Sequence, residues 1–357
     1  MEHVEIIAET ITLGAFFMIQ NGLFDLHIRF DRLDNKKGDP LSKLNQVIDW
    51  ELFRSSLESV FEKERKSNAG AKGFDKVMLF KCLILQSLYN LSDDSLEFQI
   101  LDRLSFTRFL NIGIGQKVPD ATTIWRFREE LVGAGVVDEL FKQFDSFLRE
   151  NGFQAKCGQI IDASIVSAPR QRNSRDENKR IKEGNIPDDW SESKKCQKDV
   201  DARWVKKNSR NYFGYKNHIS VDAKHKLIRS YAVTDAAVHD SQVFEELLDN
   251  DNTSRDIWAD SAYRSENART ILKKQGYREH LQRKGCRNRK LTEWEKQGNR
   301  TRSKTRARIE HVFGVQAQKA GTLLLRTIGI IRAKVKIGLR NLAYNLDRYR
   351  VLLAVSA

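Results

Sequence analysis

Cysteine and proline are both scarce in this chain. Four cysteines are spread over 357 residues, and none of them belongs to a C-x-x-C pair. Without such pairs, neither a zinc site nor a disulfide framework is predicted, and a reducing cytoplasm is the compartment that fits. Only four prolines occur and no internal repeat is visible. The sequence therefore predicts no repeat architecture and no proline-rich linker.

The sequence also has no apolar run long enough to cross a bilayer. The strongest candidate, residues 4–20, carries Glu5 and Glu9 and lacks a basic leading region. Neither a membrane span nor a targeting signal is therefore predicted, and no membrane partner is expected. The run that begins at Met18 resembles a natural start. On that interpretation residues 1–17 are an upstream extension that is not native.

Positive charge is in excess. The chain has 62 Lys and Arg against 48 Asp and Glu, which gives a formal net charge of +14 and a pI of about 9.5. Charged residues make up 31% and hydrophobic residues 40%, values typical of a globular protein. Clustered Lys and Arg displace counterions from phosphates, so nucleic acid is the leading partner and a nucleoid-associated, cytoplasmic location is expected. Ribosomal proteins and many ordinary enzymes also have an excess of positive charge, so charge alone suggests a nucleic-acid partner without establishing it.

Apolar side chains recur at helical spacing after an N-terminal extension of residues 1–40. One predicted helix covers residues 75–91, and Asp120 is placed to cap another that carries Ile124 and Leu131. Periodicity therefore predicts a compact all-α domain over residues 41–150, and its expected role as a DNA-binding domain comes from the helix after Asp120.

The helix after Asp120 is the candidate recognition helix of this domain. Arg126 and Arg128 lie early on it, where a helix that enters a DNA groove would make its contacts. Trp125 lies beside them and is interpreted as a core residue rather than a base contact.

From residue 158 the pattern changes to that of strands. We predict an α/β catalytic domain over residues 158–320, built as a mixed sheet with flanking helices. A charged insertion at residues 169–211 is interpreted as a long surface loop. Asp240 and Ser241 are placed to cap a further helix. The last segment, residues 321–357, is predicted to be a long amphipathic helix.

Three acidic residues stand out in the predicted catalytic domain. Asp162 interrupts an apolar strand, Asp260 directly follows another strand, and Glu310 lies on a helix four residues after Arg306. Each has an ordinary interpretation alone: a strand-edge Asp, a turn cap and a surface ion pair. Together they form a set of hard oxygen ligands that suits Mg²⁺ or Mn²⁺. Two such ions, about 4 Å apart, would clamp the attacking and leaving oxygens of an in-line displacement.

Basic residues cluster before the third carboxylate. Residues 283–308 contain eleven Lys or Arg and only two acids. Arg300, Arg302, Lys304 and Arg306 are the candidate contacts to a DNA backbone in this run. Lys216 and His218 lie two apart on a strand and so share one face. Contact with phosphate near the metal ions and a solvated sheet face remain equal alternatives for that pair.

Several fragments, in this order and spacing, resemble bacterial DDE-class insertion-sequence transposases, specifically the insertion-sequence-5 family. The resemblance runs from about residue 18 to the end of the chain. It is carried by FDKVMLFKCLILQSLYNLSDDSLEFQILDRLSFTRFLNI, VPDATTIWRFREEL, IIDASIVSAP, FGYKNHISVDA, TDAAVHDSQVFEELL, IWADSAYRS, RARIEHVFG and NLAYNLDR.

The resemblance implies a ribonuclease-H-like fold, with the first Asp on strand one, the second after strand four and the Glu on a late helix. It assigns the metal-binding and catalytic roles to Asp162, Asp260 and Glu310. It also implies that DNA is the partner, as terminal inverted repeats and target DNA, and that a homodimer or higher assembly forms on it.

The chain departs from the pattern of that family around its Glu. The family often has a Tyr seven residues before the Glu and a Lys seven after, and this chain has Ser303 and Ala317 there, with Lys319 the nearest basic residue. This departure leaves the metal site intact and puts the usual contacts to the DNA end in doubt. A metal-dependent nuclease without strand transfer and a catalytically idle DNA-binding repressor remain as alternative functions.

Overall fold

A computed structural model provides the structure of the protein. It describes residues 25–36, 38–61, 73–113, 115–207, 209–286, 289–321 and 323–356. The suggested upstream extension, residues 1–17, lies outside the described residues. Among the described helices, none combines the length and apolar character that a membrane crossing needs.

The first part of the chain is helical, as predicted. A short 3₁₀ turn, Trp50–Phe53, lies between the second and third of its helices. The α-helices are α1 (Asp25–Lys36), α2 (Pro40–Val47), α3 (Arg54–Ser59), α4 (Lys76–Tyr89), α5 (Asp93–Asp102), α6 (Leu104–Leu110), α7 (Ala121–Ala134) and α8 (Val137–Glu150).

Local sequence explains where these helices begin and end. Asp75, Ser92 and Asp120 each cap a helix by accepting a hydrogen bond from a backbone N–H of its first turn. Asn90 and Asn111 end α4 and α6 in the left-handed conformation, which asparagine tolerates better than most residues. The predicted cap at Asp120 is confirmed.

A six-stranded mixed sheet follows. Its strands are β1 (Gln159–Ser167), β2 (Arg203–Lys207), β3 (Arg210–Asp222), β4 (Ile228–Asp235), β5 (Asp256–Ala259) and β6 (Arg278–Leu281). The strand order is β2-β3-β1-β5-β6, and β4 pairs with β3 beside β2. Pairing is antiparallel among β1 to β4 and parallel for β1 with β5 and for β5 with β6. With helices on its faces, this is a ribonuclease-H-like sheet, and the predicted fold class is confirmed.

Five more helices belong to this second part of the chain. They are α9 (Arg175–Lys182), α10 (Glu192–Gln197), α11 (Glu266–Lys274), α12 (Glu293–Ala320) and α13 (Ile330–Ser356). A long C-terminal helix is present as α13, but it begins at Ile330, later than the predicted start at residue 321. Gly338 lets α13 approach the sheet closely, because a Cβ at that position would lie 2.4 Å from the hydroxyl of Tyr231 on β4.

One hydrophobic core runs through both parts of the chain. Helix α13 packs against α4, α8 and β4. Its Leu342 and Leu346 belong to the same buried cluster as Phe80 of α4 and Ile219 and Val221 of β3. The last helix therefore completes the core of the N-terminal helices, although about 180 residues separate it from α8.

Two predicted elements differ from the structure. The insertion at residues 169–211 is not a plain loop, because it folds into α9, α10 and β2 around the buried Trp190. Glu177 organises it by accepting hydrogen bonds from the Trp190 indole at 2.6 Å and from Lys194 at 2.8 Å. The helix predicted after Asp240 is also wrong: two 3₁₀ turns form there, and His239 provides the cap.

Candidate active site

Asp162 lies in the middle of β1 with its side chain mostly buried. One carboxylate oxygen accepts a hydrogen bond from the backbone N–H of Ala163 at 2.8 Å. Burial raises the pKa of this carboxyl group to about 6, and the nearby charge of Asp260 acts in the same direction. The Ala163 hydrogen bond and the charge of Arg306 oppose that rise. Asp162 is thus an ionisable group in a poorly solvated position, beside another carboxylate.

Asp260 reaches this position through the register of the parallel strands. Ile161 of β1 pairs with Ala259 of β5, so Asp162 and Asp260 both come one residue further along. The parallel pairing of β1 with β5 ends at Ile161 and Ala259, just before the two aspartates. Ligand sites in α/β sheets usually lie at the carboxyl ends of such strands. Asp260 also caps the following 3₁₀ turn by accepting a hydrogen bond from Ala262 N at 2.7 Å. The sequence had offered the cap and the site as alternatives, and the geometry accommodates both.

Glu310 lies on α12, which packs against β1 and β5. Arg306, one turn earlier, stands between the acidic groups: its guanidinium is 3.5 Å from Asp162 Oδ2 and 3.8 Å from Glu310 Oε1. The Glu310 side chain is 66% exposed. The structure therefore brings Glu310 to the same edge of the sheet as Asp162, with a cation separating the two carboxylates.

A further carboxylate, Asp240, belongs to this region and was missed by the sequence analysis. The buried Tyr263 has its pKa raised, first by burial and then by the charges of Asp240, Asp162 and Asp260. Asp240 follows β4 and accepts a hydrogen bond from Lys216 Nζ at 2.8 Å. The fragment TDAAVHDSQVFEELL contained the signal, a His-Asp pair shortly after a strand, but Asp240 was interpreted as a helix cap.

The predicted phosphate contacts on β3 need correction. His218 is completely buried, with Nε2 3.0 Å from the hydroxyl of Thr234. Contact with a DNA phosphate is therefore wrong for His218, because its ring is closed off from solvent. Lys216 is largely buried and donates to the carbonyl of Val238 at 2.6 Å as well as to Asp240. Its charge is already balanced by that carboxylate.

The predicted recognition helix also has a different orientation from the one expected. Arg128 is buried and forms a bidentate ion pair with Asp93, at 2.6 and 2.8 Å, so the predicted DNA contact is wrong for it. Its position was readable from the sequence, since it lies four residues after Ile124 and three before Leu131 on the apolar face. Arg126 is exposed, as a DNA contact requires. Trp125 is 48% exposed, so the predicted core role is wrong.

The described residues of the basic run, 283–286 and 289–308, form the segment before α12 and the first half of that helix. Thr292 and Glu295 form a capping box at its start, and Glu295 also pairs with Arg283 and Arg289. Arg300 and Lys304 are exposed on the helix, and Arg302 is half-buried. Burial lowers the pKa of Arg302, and the nearby charges of Arg283 and Arg264 lower it further, which marks a locally cationic surface. Lys319 instead pairs with Asp347.

The oxygen donors at this edge have the chemistry of ligands for a divalent metal ion. Carboxylates are the donor type that Mg²⁺ and Mn²⁺ prefer, and the raised pKa of Asp162 beside Asp260 marks a place where a cation would relieve burial and repulsion. Within the part of the chain that the structure describes, however, no three His, Cys, Asp or Glu side chains are arranged as a metal-ligand group. The donor chemistry of this edge therefore suits a divalent cation, while Arg306 supplies the counter-charge to Asp162 in the metal-free arrangement.

The sheet order and its acidic edge place the protein in the ribonuclease-H-like class of enzymes. Residues 154–346 match the family described as "Transposase DDE domain", and residues 29–130 match "Transposase domain (DUF772)". The chain belongs to the Transposase DDE domain family and is an enzyme of the DDE transposase class. Among solved structures it is similar to the "piggyBac transposase synaptic complex with hairpin DNA", at 13% identity and a TM-score of 0.45 over 91% of this chain and 77% of that one.

Proposed function

We propose that this transposase belongs to the insertion-sequence-5 family and that it cuts DNA at the ends of an insertion sequence and joins them to target DNA. Asp162, Asp260 and Glu310 are the proposed catalytic residues. The observation that carries this proposal is the parallel register that aligns Asp162 with Asp260, with α12 holding Glu310 over the same edge. Burial of the Asp162 carboxylate beside Asp260 is unfavourable, and a bound cation would offset that cost.

Two Mg²⁺ ions, which Mn²⁺ can replace, are the proposed cofactors, held by Asp162, Asp260 and Glu310. Such ions supply Lewis acidity and lower the pKa of bound water. The residues of the chain contribute the rest. The backbone N–H groups of Ala163 and Ala262 orient the two aspartates. Arg306 neutralises Asp162 and Glu310, and we propose that it turns to a DNA phosphate when DNA and metal ions are bound.

The DNA partner is proposed to lie along α12. Arg300 and Lys304 are exposed on the helix two to three turns before Glu310. Cationic side chains at that place would hold the phosphate backbone while the acidic edge meets the bond to be cut. Because two element ends must be cut and joined together, an assembly of at least two copies on the DNA is part of the proposal.

The test is cleavage of a labelled duplex that carries the inverted repeat flanking the gene, in Mg²⁺ and in Mn²⁺. Asp162→Asn, Asp260→Asn and Glu310→Gln each remove one charge and keep size and polarity. We expect cleavage to fall by about two orders of magnitude or more in each, with binding of the duplex retained. Glu293→Gln is the matched control, because Glu293 is exposed at the start of the same helix.

The outcomes separate the proposed function from its rivals. Near-normal cleavage by one variant would remove that residue from the catalytic set. Cleavage without joining to a second DNA would favour the nuclease. A wild-type protein that binds the repeat and never cuts it would favour the idle repressor.

A further inference from the structure

A cleft of about 500 Å³ opens between the N-terminal helices and the segment that leads into α13. It lies away from the acidic edge, between α4, α5 and α7 on one side and residues 323–340 on the other. Its lining includes four basic side chains and two apolar ones: Arg128, Arg326, Lys336, Arg340, Trp125 and Leu324. We call this the Trp125–Lys336 cleft.

The basic charge of the cleft exceeds its acidic charge. Asp93 and Asp94 are its acidic lining residues, and both oxygens of Asp93 are bonded to Arg128. Across the described residues, Arg326, Lys336 and Arg340 form no ion pair with a carboxylate. These three side chains therefore leave a net positive charge in a partly enclosed space.

Several donors in the cleft are buried without a partner. Arg340 is 8% exposed; its Nη2 donates to the carbonyls of Gln316 and Gly321, whereas its Nη1 is buried with no acceptor within reach in the described structure. Arg128 Nε and Thr327 Oγ1 are also buried with no hydrogen-bond partner among the described residues. Buried polar groups in folded proteins are almost always bonded, so a cluster of orphaned donors indicates a missing acceptor.

The lowered pKa of Lys336 is consistent with a buried, positively charged cleft. Burial lowers the pKa of Lys336 to about 8, and the positive charge of Arg128 lowers it further. Asp93 acts in the opposite direction, and Arg326 and Glu129 are the other charged groups that act on Lys336. An anion bound beside Lys336 would reverse the shift, because it favours the protonated form.

An aromatic ring stands at the mouth of the cleft. Trp125 is 48% exposed and Leu324 is 43% exposed, so both present apolar surface beside the basic side chains. A basic groove with an exposed aromatic ring is the combination that binds single-stranded nucleic acid: the cations hold phosphate, and the ring stacks on an unpaired base. The volume of the cleft falls within the range of small-ligand sites and suits one nucleotide rather than a duplex.

We propose that the Trp125–Lys336 cleft binds one nucleotide of a single-stranded stretch of the DNA substrate. Its phosphate lies against Lys336, Arg326 and the free Nη1 of Arg340, and its base stacks on Trp125. The inference rests on the proposed function, which makes DNA the substrate. Arg340 also lines a smaller, separate cavity against Ser164 and Val166 of β1.

The test uses the full-length protein in EDTA and a labelled duplex, either blunt or extended by a single-stranded overhang. The variants are Trp125→Ala and Lys336→Met, which keeps the aliphatic stem of the lysine. We expect each to weaken binding of the overhang duplex about tenfold and to leave binding of the blunt duplex within about twofold. Lys334→Met, exposed on the same helix, and Trp204→Ala, at a similarly exposed tryptophan, are the matched controls.

A second measurement needs no variant. Photo-crosslinking of wild-type protein to an overhang that contains 5-iodouracil should attach the label to Trp125, and peptide mass spectrometry locates it. Wild-type affinity of both variants for the overhang duplex, an equal loss for blunt and overhang DNA, or crosslinks found only outside the cleft would each overturn the proposal. Because metal ions and cleavage are absent from both assays, their failure is distinct from a failure to cut DNA, which would count against the proposed function instead.

Discussion

The guanidinium of Arg306 lies 3.5 Å from a carboxylate oxygen of Asp162, joining a helix near the end of the chain to the first strand of the sheet. The contact is largely shielded from water, since both side chains are about one-fifth exposed. It gives Asp162 a counter-charge at a position where burial and a second aspartate disfavour its ionised form. Arg306 is therefore the residue that stabilises the acidic edge without a metal ion.

Replacing Arg306 by Gln should expose this role. Without the cation, Asp162 and Asp260 repel each other in a poorly solvated place, so we expect the metal-free protein to lose on the order of 1 kcal/mol of unfolding free energy. Urea denaturation in EDTA measures the loss. Added Mg²⁺ should recover more stability in the variant than in wild type. Arg300→Gln on the exposed face of α12 is the control, and a variant as stable as wild type in EDTA would contradict the prediction.

The ion pair between Arg128 and Asp93 should behave as a structural interaction. Arg128→Met leaves Asp93 partly buried without its partner, and we expect a loss of about 2–3 kcal/mol in chemical denaturation. The double variant with Asp93→Leu should lose less than the sum of the two single losses. Additive losses would show that the two side chains do not interact.

The buried His218 should make stability depend on pH in a defined direction. Burial, opposed by Asp240 and reinforced by Lys216, lowers its pKa to about 4 in the folded state, against 6.5 ordinarily. The unfolded chain therefore binds the proton first as pH falls below 6.5. Stability should drop by on the order of 2 kcal/mol between pH 6.5 and 4 through this group. Denaturation of wild type and His218→Gln over that range measures it, and parallel profiles would refute it.

The basic face of α12 should bind DNA without reading its sequence. Neutralising Arg300, Arg302 and Lys304 together to Gln should weaken binding to the terminal repeat and to unrelated duplex by the same factor. The slope of log affinity against log salt should also become shallower by up to about three units. Lys273→Gln with Lys274→Gln, on the exposed end of α11, is the control. Loss confined to the terminal repeat would mean that these residues read bases or shape.

Patterns within a few residues of each other were enough to predict much of this protein. Asp120 could be placed as a helix cap, and the strands that contain Asp162 and precede Asp260 could be found, because capping and strand alternation are local properties. The excess of Lys and Arg before Glu310 is also visible in the sequence without knowledge of the fold. Local patterns therefore gave the mixed α/β sheet and the positions of the acidic residues, whereas the ribonuclease-H-like fold and the roles of those residues came from the resemblance to a family.

Which side of a predicted element faces the interior depends on segments far away in the chain. Helical periodicity is compatible with an exposed Trp125 and a buried Arg128. The interior that buries Arg128 is complete only when the N-terminal helices pack against α13, some 200 residues later. His218 is completely buried, and its ring lies 4.0 Å from the carboxylate of Asp240, which comes after β4. Asp240 joins Asp162 and Asp260 only through the folding of the chain after β4. Local sequence determined the capped helices and the main strands of this protein, but not the folded insertion at residues 169–211. Burial and charge pairing were decided by tertiary packing, because both depend on which remote surfaces exclude water.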